Sequence, residues 1–166
     1  SNSYNINTKK PSFTNENKQK GNKDNIKKAA KLIEASKCSV IIVGAGIKYN
    51  SKYKDVLKLA ELCNMPIVTA AGHGDAIPFG HKLNAGQMGP RGNPVASRLV
   101  KNADVILAIG TRLGFNSTFY SYENINKKAK IIQIELEKKM LGKYFPATIK
   151  IHADAATATK QLYDQI

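Results

Sequence analysis

Three stretches of this 166-residue chain carry residue types that could hold a phosphorylated ligand. The first is "SVIIVGAGIKYN", where a β-branched run meets Gly44, Ala45 and Gly46. Glycines at a strand exit allow a sharp turn and a close approach of backbone to a diphosphate. An NAD turn needs G-x-G-x-x-G and an acidic residue at the end of the next strand. Tyr49 stands where the third glycine belongs, and the next apolar run ends in Thr69 and Ala70 with no carboxylate. The usual NAD site is therefore excluded. Two uses of Gly44 and Gly46 stay open: approach to another nucleotide, or a tight strand exit. The second stretch is "DVILAIGTRLGFNST", an apolar run followed by Gly110, Thr111 and Arg112. A guanidinium at a strand end has the planar fork that suits phosphate, or it forms a surface ion pair. The third is "AGHGDAIPFGHKLNAGQMGPRGNP", long, glycine-rich and without a regular period. Such loops in compact domains are usually functional. Its His73, Asp75 and His81 have no standard ligand spacing, so no metal site is expected. Met88 either packs on a flat ring or fills the core.

Turns of this kind need a sheet to hold them. "NIKKAAKLIEASK" places Ile26, Ala29, Ala30 and Ile33 at helical spacing, with Asp24 or Asn25 as cap. "SVIIV" predicts a buried strand, "SKYKDVLKLAELCN" a helix with Val56, Leu59, Ala60 and Cys63 on one face, and "MPIVTA" a short strand. "NPVASRLVKNA" predicts a helix with Asn93 as cap and Pro94 at its first position. "DVILAIG", "AKIIQIEL" and "ATIKIHAD" predict further strands, and "ADAATATKQLYDQI" a closing helix capped by Asp154. Continuous Val/Ile strands alternating with helices predict an α/β fold: a doubly wound, mostly parallel, six-stranded Rossmann-like sheet with helices on both faces. The two glycine turns then face one crevice at the carboxyl edge, where such sheets bind ligands.

Composition narrows the function classes. The net charge is +14, but the lysines are spread along the chain and no strip interleaves basic with aromatic residues. A general attraction for anions is expected, not specific nucleic-acid binding. No apolar run is long enough to span a bilayer and no leader pattern opens the chain, so no membrane partner and a cytoplasmic location are expected. Cys38 and Cys63 are far apart, each in an apolar segment. They predict core packing in a reducing compartment. Residues 1–25 are polar and Asn/Lys-rich and predict a linker or tail, leaving 26–166 as the domain.

Six segments, "VIIVGAG", "LAELCNMPIVT", "GHKLNAGQMGPRG", "ADVILAIGTRL", "AKIIQIELE" and "IHADA", follow the order and spacing of one family. Over about residues 26–165 the chain resembles the central domain of thiamine-diphosphate-dependent enzymes, such as acetohydroxyacid synthase and sulfoacetaldehyde acetyltransferase. The resemblance implies a domain set between two thiamine-binding domains in a homo-oligomer, binding FAD in some members and ADP in others, and structural in the rest. Thiamine diphosphate and magnesium would belong to the parent enzyme, with the catalytic glutamate and the Gly-Asp-Gly…Asn motif in the flanking domains. This chain alone would have no catalytic residue. Carried over by position, Gly44, Ala45 and Gly46 would lie along the diphosphate or ribitol. Thr69 and Ala70 would line the second strand end. Gly86, Gln87, Met88 and Gly89 would approach the ring or ribitol. Gly110, Thr111 and Arg112 would form the next wall, Glu135 would hold the adenosine ribose, and Ala153 and Asp154 would flank the adenine.

The chain departs from the synthases in two places. Leu113, Gly114 and Phe115 replace Phe-Asp-Asp, and His73, Gly74 and Asp75 replace Gly-Lys-Gly. His73, Asp75, Ser117, Thr118 and Tyr122 are more similar to the sulfoacetaldehyde acetyltransferase branch, which implies a domain without bound flavin. The first expectation is an excised central domain of an acetolactate-synthase-like enzyme, with the acetyltransferase branch as alternative. A stand-alone adenine-nucleotide-binding module is a further alternative. A relative of NAD-dependent deacylases ranks last, because the cysteines of a zinc module are missing.

Overall fold

The β-branched runs and the amphipathic stretches form the elements their periodicity demands. Residues 19–48 and 52–166 are described by the computed structural model. Residues 1–18 of the polar N-terminal segment, and Tyr49, lie outside the described residues. The order is α1 (Lys23–Glu34), β1 (Ser39–Val43), α2 (Tyr53–Cys63), β2 (Ile67–Thr69), β3 (Asn84–Gln87), α3 (Pro94–Asn102), β4 (Val105–Ile109), α4 (Phe115–Thr118), β5 (Lys130–Glu135), β6 (Ile149–His152) and α5 (Ala155–Gln165). The six strands form one sheet in the order β3-β2-β1-β4-β5-β6. Every pairing is parallel. The order reverses between β1 and β4, the switch point of a doubly wound sheet.

Strand alternation builds two cores. Ile41, Val43, Leu107, Ile109, Ile132 and Ile134 pack on one face against Ile26 and Ile33 of α1, Val56 and Leu59 of α2, and Ala158 and Leu162 of α5. Val40, Ile42, Ile106, Ala108 and Ile131 pack on the other against Ala96 and Val100 of α3 and against Phe145. The ladder pairs Val43 with both Thr69 and Ile109, and Ile109 with Ile134. Four strands therefore end level at the carboxyl edge, which sets the turns beyond them side by side.

Three details differ from expectation. The glycine-rich loop contains β3, whose "NAGQ" holds no β-branched residue. It is an edge strand, and its identity comes from the ladder with β2, through a register shift after Ile67, rather than from intrinsic preference. The first helix starts at Lys23, and its cap is Asn22, whose side chain accepts the amides of Asp24 and Asn25 at 2.9 and 3.2 Å. The Gly21 amide donates to Gln161 Oε1 at 2.8 Å and the Asp154 amide to the Gln19 carbonyl at 2.9 Å. The folded unit thus reaches back to Gln19, ahead of the expected boundary at Ile26. Finally, Cys38 is exposed at the amino edge instead of packed in the core, and Cys63 is half-buried. Burial, then the charge of Glu34, pushes the Cys63 thiol up, which makes it a poor nucleophile.

Candidate functional site: the carboxyl-edge cleft

A cleft of about 630 Å³ opens at the carboxyl edge, over the switch point. It brings together Gly44, Ala45 and Gly46 after β1, Ala70 after β2, Gly110, Thr111 and Arg112 after β4, and Glu135 at the end of β5. Four strand ends thus supply one concave surface.

The glycines have a use the sequence left open. The Gly46 amide donates to the Gly110 carbonyl at 3.0 Å, and the Gly44 amide to the Ile109 carbonyl at 3.2 Å. A Cβ on Gly46 would stand 2.6 Å from Gly110 Cα, and one on Gly44 2.7 Å from the Gly110 carbonyl oxygen. Gly110 itself has φ +58°, in the left-handed region. These glycines therefore let two turns touch backbone to backbone. The amides of Ala45, Thr111 and Arg112 donate to no group among the described residues. They are the donors left for an anion, because Gly44 and Gly46 have spent theirs.

Arg112 reaches Glu137 Oε2 at 2.9 Å, with about half of each side chain exposed. An exposed pair of this kind contributes about 0.2–1 kcal/mol, so an incoming phosphate can displace the carboxylate at little cost. Glu135 Oε1 accepts the amides of Leu136 and Glu137 at 2.9 and 3.2 Å. That pins its carboxylate at the rim with the second oxygen still open.

The far wall is stiff. Leu113 is buried with φ +52°. The fully buried Thr118 hydroxyl lies 3.0 Å from the Leu113 and Gly114 carbonyls and accepts the Tyr120 amide at 3.1 Å. Ser117 Oγ accepts the Ala71 amide at 2.9 Å, tying this wall to the exit of β2. His73 lines the cleft, and its Nδ1 is buried without a hydrogen-bond partner among the described residues. Asp75 pairs with Lys48 at 2.8 Å, and the hydrogen bond from Lys48 holds its carboxyl below the usual range. His81 Nε2 sits 3.1 Å from Glu61. Asp75 and His81 are thus engaged with different partners. Among the described residues, no group of three or more His, Cys, Asp and Glu side chains could hold a metal ion.

Seven predicted residues do not line the cleft. Thr69 is buried, and its hydroxyl has no partner among the described residues. Met88 fills the core on the α3 side. Gln87 Oε1 accepts the Gly72 amide at 3.2 Å. Gly86 and Gly89, with φ +92° and +103°, pack against the Asn93 side chain and the Asn116 carbonyl. Asp154 caps α5: Lys52 Nζ reaches its Oδ1, and the Thr157 amide and hydroxyl donate to its Oδ2, each at 3.0 Å. Ala153 beside it is fully buried.

Ala71, Gly114, Phe115, Asn116, Ser117, Leu136 and Glu137 also line the cleft. No cofactor role for them follows from the glycine spacing. The available signal was "FNST" directly after the "TRLG" turn, and Glu137 two residues beyond Glu135. A second cavity of about 660 Å³ lies at the opposite, amino edge, where Ile33, Leu62, Val95 and Leu99 give it an apolar wall. None of the predicted ligand-binding residues reaches it.

The model of a known family, "Thiamine pyrophosphate enzyme, central domain", matches residues 26–162. A sulfoacetaldehyde acetyltransferase of Roseovarius nubinhibens is 33% identical over 154 residues, covering 92% of this chain and 26% of that protein. A probable sulfoacetaldehyde acetyltransferase of Rhizobium meliloti is 34% identical over 143 residues, covering 85% and 24%. A probable acetolactate synthase large subunit of Methanococcus aeolicus is 31% identical over 146 residues, covering 88% and 24%. The chain spans about a quarter of the length of these curated relatives.

Proposed function

The chain belongs to the central-domain family of thiamine pyrophosphate enzymes, and from that premise we propose that it is the non-catalytic middle module of a thiamine-diphosphate-dependent transferase or lyase. The carboxyl-edge cleft holds an adenine nucleotide, ADP or the ADP half of FAD. The parent enzyme acts on 2-keto acids or related aldehydes, as a cytoplasmic homo-oligomer with thiamine-binding domains on either side.

The observation that carries the nucleotide site is that Ala45, Thr111 and Arg112, whose amides donate to no group among the described residues, line one cleft with a pinned Glu135. Amides and a guanidinium suit a diphosphate, and a carboxylate accepts from ribose hydroxyls. Thiamine diphosphate with its magnesium does not fit this chain. "HGDA" lacks the glycine after Asp75, and Asp75 is paired with Lys48. Among the described residues no acidic cluster replaces it. Bound elsewhere in the parent, thiamine diphosphate supplies the stabilised carbanion. This domain's residues supply spacing and a nucleotide seat.

Within that function the flavin-free, sulfoacetaldehyde acetyltransferase-type parent is favoured over an acetolactate-synthase-like one. Gly114 and Phe115 stand in the cleft wall at the positions where the resemblance puts the acidic pair of the synthases. Excising residues 26–165 from the parent enzyme is expected to abolish thiamine-dependent turnover, measured as acetyl transfer or carbon dioxide release. A deletion that still turns over would refute the role.

A further inference from the structure

We propose that Phe115 is the platform on which the flat base of the bound nucleotide lies, a role that rests on the cleft's taking an adenine nucleotide. The segment from Leu113 to Tyr120 is built against local preference. Leu113, Phe119 and Tyr120 all have φ near +50°, a region costly for residues other than glycine. Buried hydrogen bonds of Thr118, the Ser117 link to Ala71, and the Asn124 amide on the Thr118 carbonyl at 3.1 Å hold it there. The outcome is that Phe115, Phe119 and Tyr120 remain 51%, 45% and 48% exposed.

The rings back one another. Phe119 meets Phe115 edge-on at 5.0 Å, Tyr120 leans on Phe115 at 5.6 Å, and Tyr120 stacks on Tyr144 at 4.5 Å. Among these rings only that of Phe115 belongs to the cleft lining. Supported from behind, it has little side-chain freedom left to lose on stacking. Asn116, beside it in the lining, makes no side-chain hydrogen bond among the described residues. Its amide offers a donor and an acceptor side by side, which matches the edge of adenine. Arg112 and the free amides of Thr111 and Arg112 lie at the strand exit of the same wall. The wall thus has an anionic-ligand end and an aromatic end, the two ends of a nucleotide. Asp154 cannot serve as the base contact, because Lys52 and Thr157 already hold its carboxylate.

The test titrates ADP and inorganic pyrophosphate into the chain and its Phe115→Ala and Phe115→Tyr variants, following the adenine protons by NMR. The proposal expects ADP to bind about ten-fold more weakly to Phe115→Ala and normally to Phe115→Tyr. Pyrophosphate affinity stays the same in all three. The adenine protons move upfield on binding to the parent chain and not to Phe115→Ala. Equal ADP affinity in Phe115→Ala would overturn the platform while leaving the nucleotide seat standing. An equal loss of pyrophosphate would make Phe115 a prop for the loop and also overturn it. Failure of the parent chain to bind ADP would overturn both the platform and the seat.

Discussion

Alanine at Gly46 is expected to destabilise the chain by about 3 kcal/mol or more, with no ligand present. The new methyl would stand 2.6 Å from Gly110 Cα, and neither neighbour is a flexible side chain that can move aside. The same substitution at Gly110 adds strain to the clash, because φ +58° costs a non-glycine residue about 1–2 kcal/mol. Urea unfolding followed by circular dichroism measures both. This outcome separates two explanations of the turn. If the glycines served only a close approach to a phosphate, Gly46→Ala would keep its midpoint and lose nucleotide affinity alone. Backbone contact between the turns of β1 and β4 demands the loss of stability first.

Asp154→Ala is expected to cost about 2–4 kcal/mol, from a lost helix cap and an ion pair broken on one side. Asp154 is 5% exposed, so Lys52 is left without its partner at the edge of the α2–α5 contact. Burial pushes the Asp154 carboxyl up, but the hydrogen bond from Lys52 and the two from Thr157 outweigh it, and the net is a lowered pKa. The sign of the pH dependence follows. A carboxyl held lower in the folded state contributes stability that is complete above its unfolded value of about 3.9. That contribution falls as the pH drops through the folded value. Wild type and Asp154→Ala should therefore differ most at pH 6–8 and converge as the pH drops well below 4. A gap that widened in acid would contradict the assignment. A folded Asp154→Ala variant should also bind ADP as the parent chain does, because Asp154 is outside the cleft lining.

Much of the fold was legible in the chain because its strands are buried on both sides. "VILAI" and "KIIQIE" can only be interior parallel strands, and their ends announce where the turns lie. Asn93 and Asp154 named their helix starts by side-chain chemistry alone. β3 was not legible, since an edge strand of "NAGQ" takes its form from hydrogen bonds to β2. The cleft was half legible. Turns that directly follow strands, at Gly44, Gly110 and Glu135, converge because register carries their ends to one level. Gly86 to Gly89 and Asp154 did not follow. Their distance from the cleft depends on how a long loop folds and on a partner, Lys52, that no local pattern exposes. Phe115 was hidden as well. Its exposure follows no local pattern in the sequence, and the left-handed residues Leu113, Phe119 and Tyr120 on either side of it carry no glycine to mark them.

The most direct test of the nucleotide seat is an amide-resolved NMR titration of the chain with ADP and, separately, with FAD. The account predicts saturable shifts concentrated at Gly44–Gly46, Thr111, Arg112 and Glu135, with ADP sufficient to produce them. Absence of saturable shifts, or shifts confined to the amino-edge cavity around Leu62, Val95 and Leu99, would contradict it.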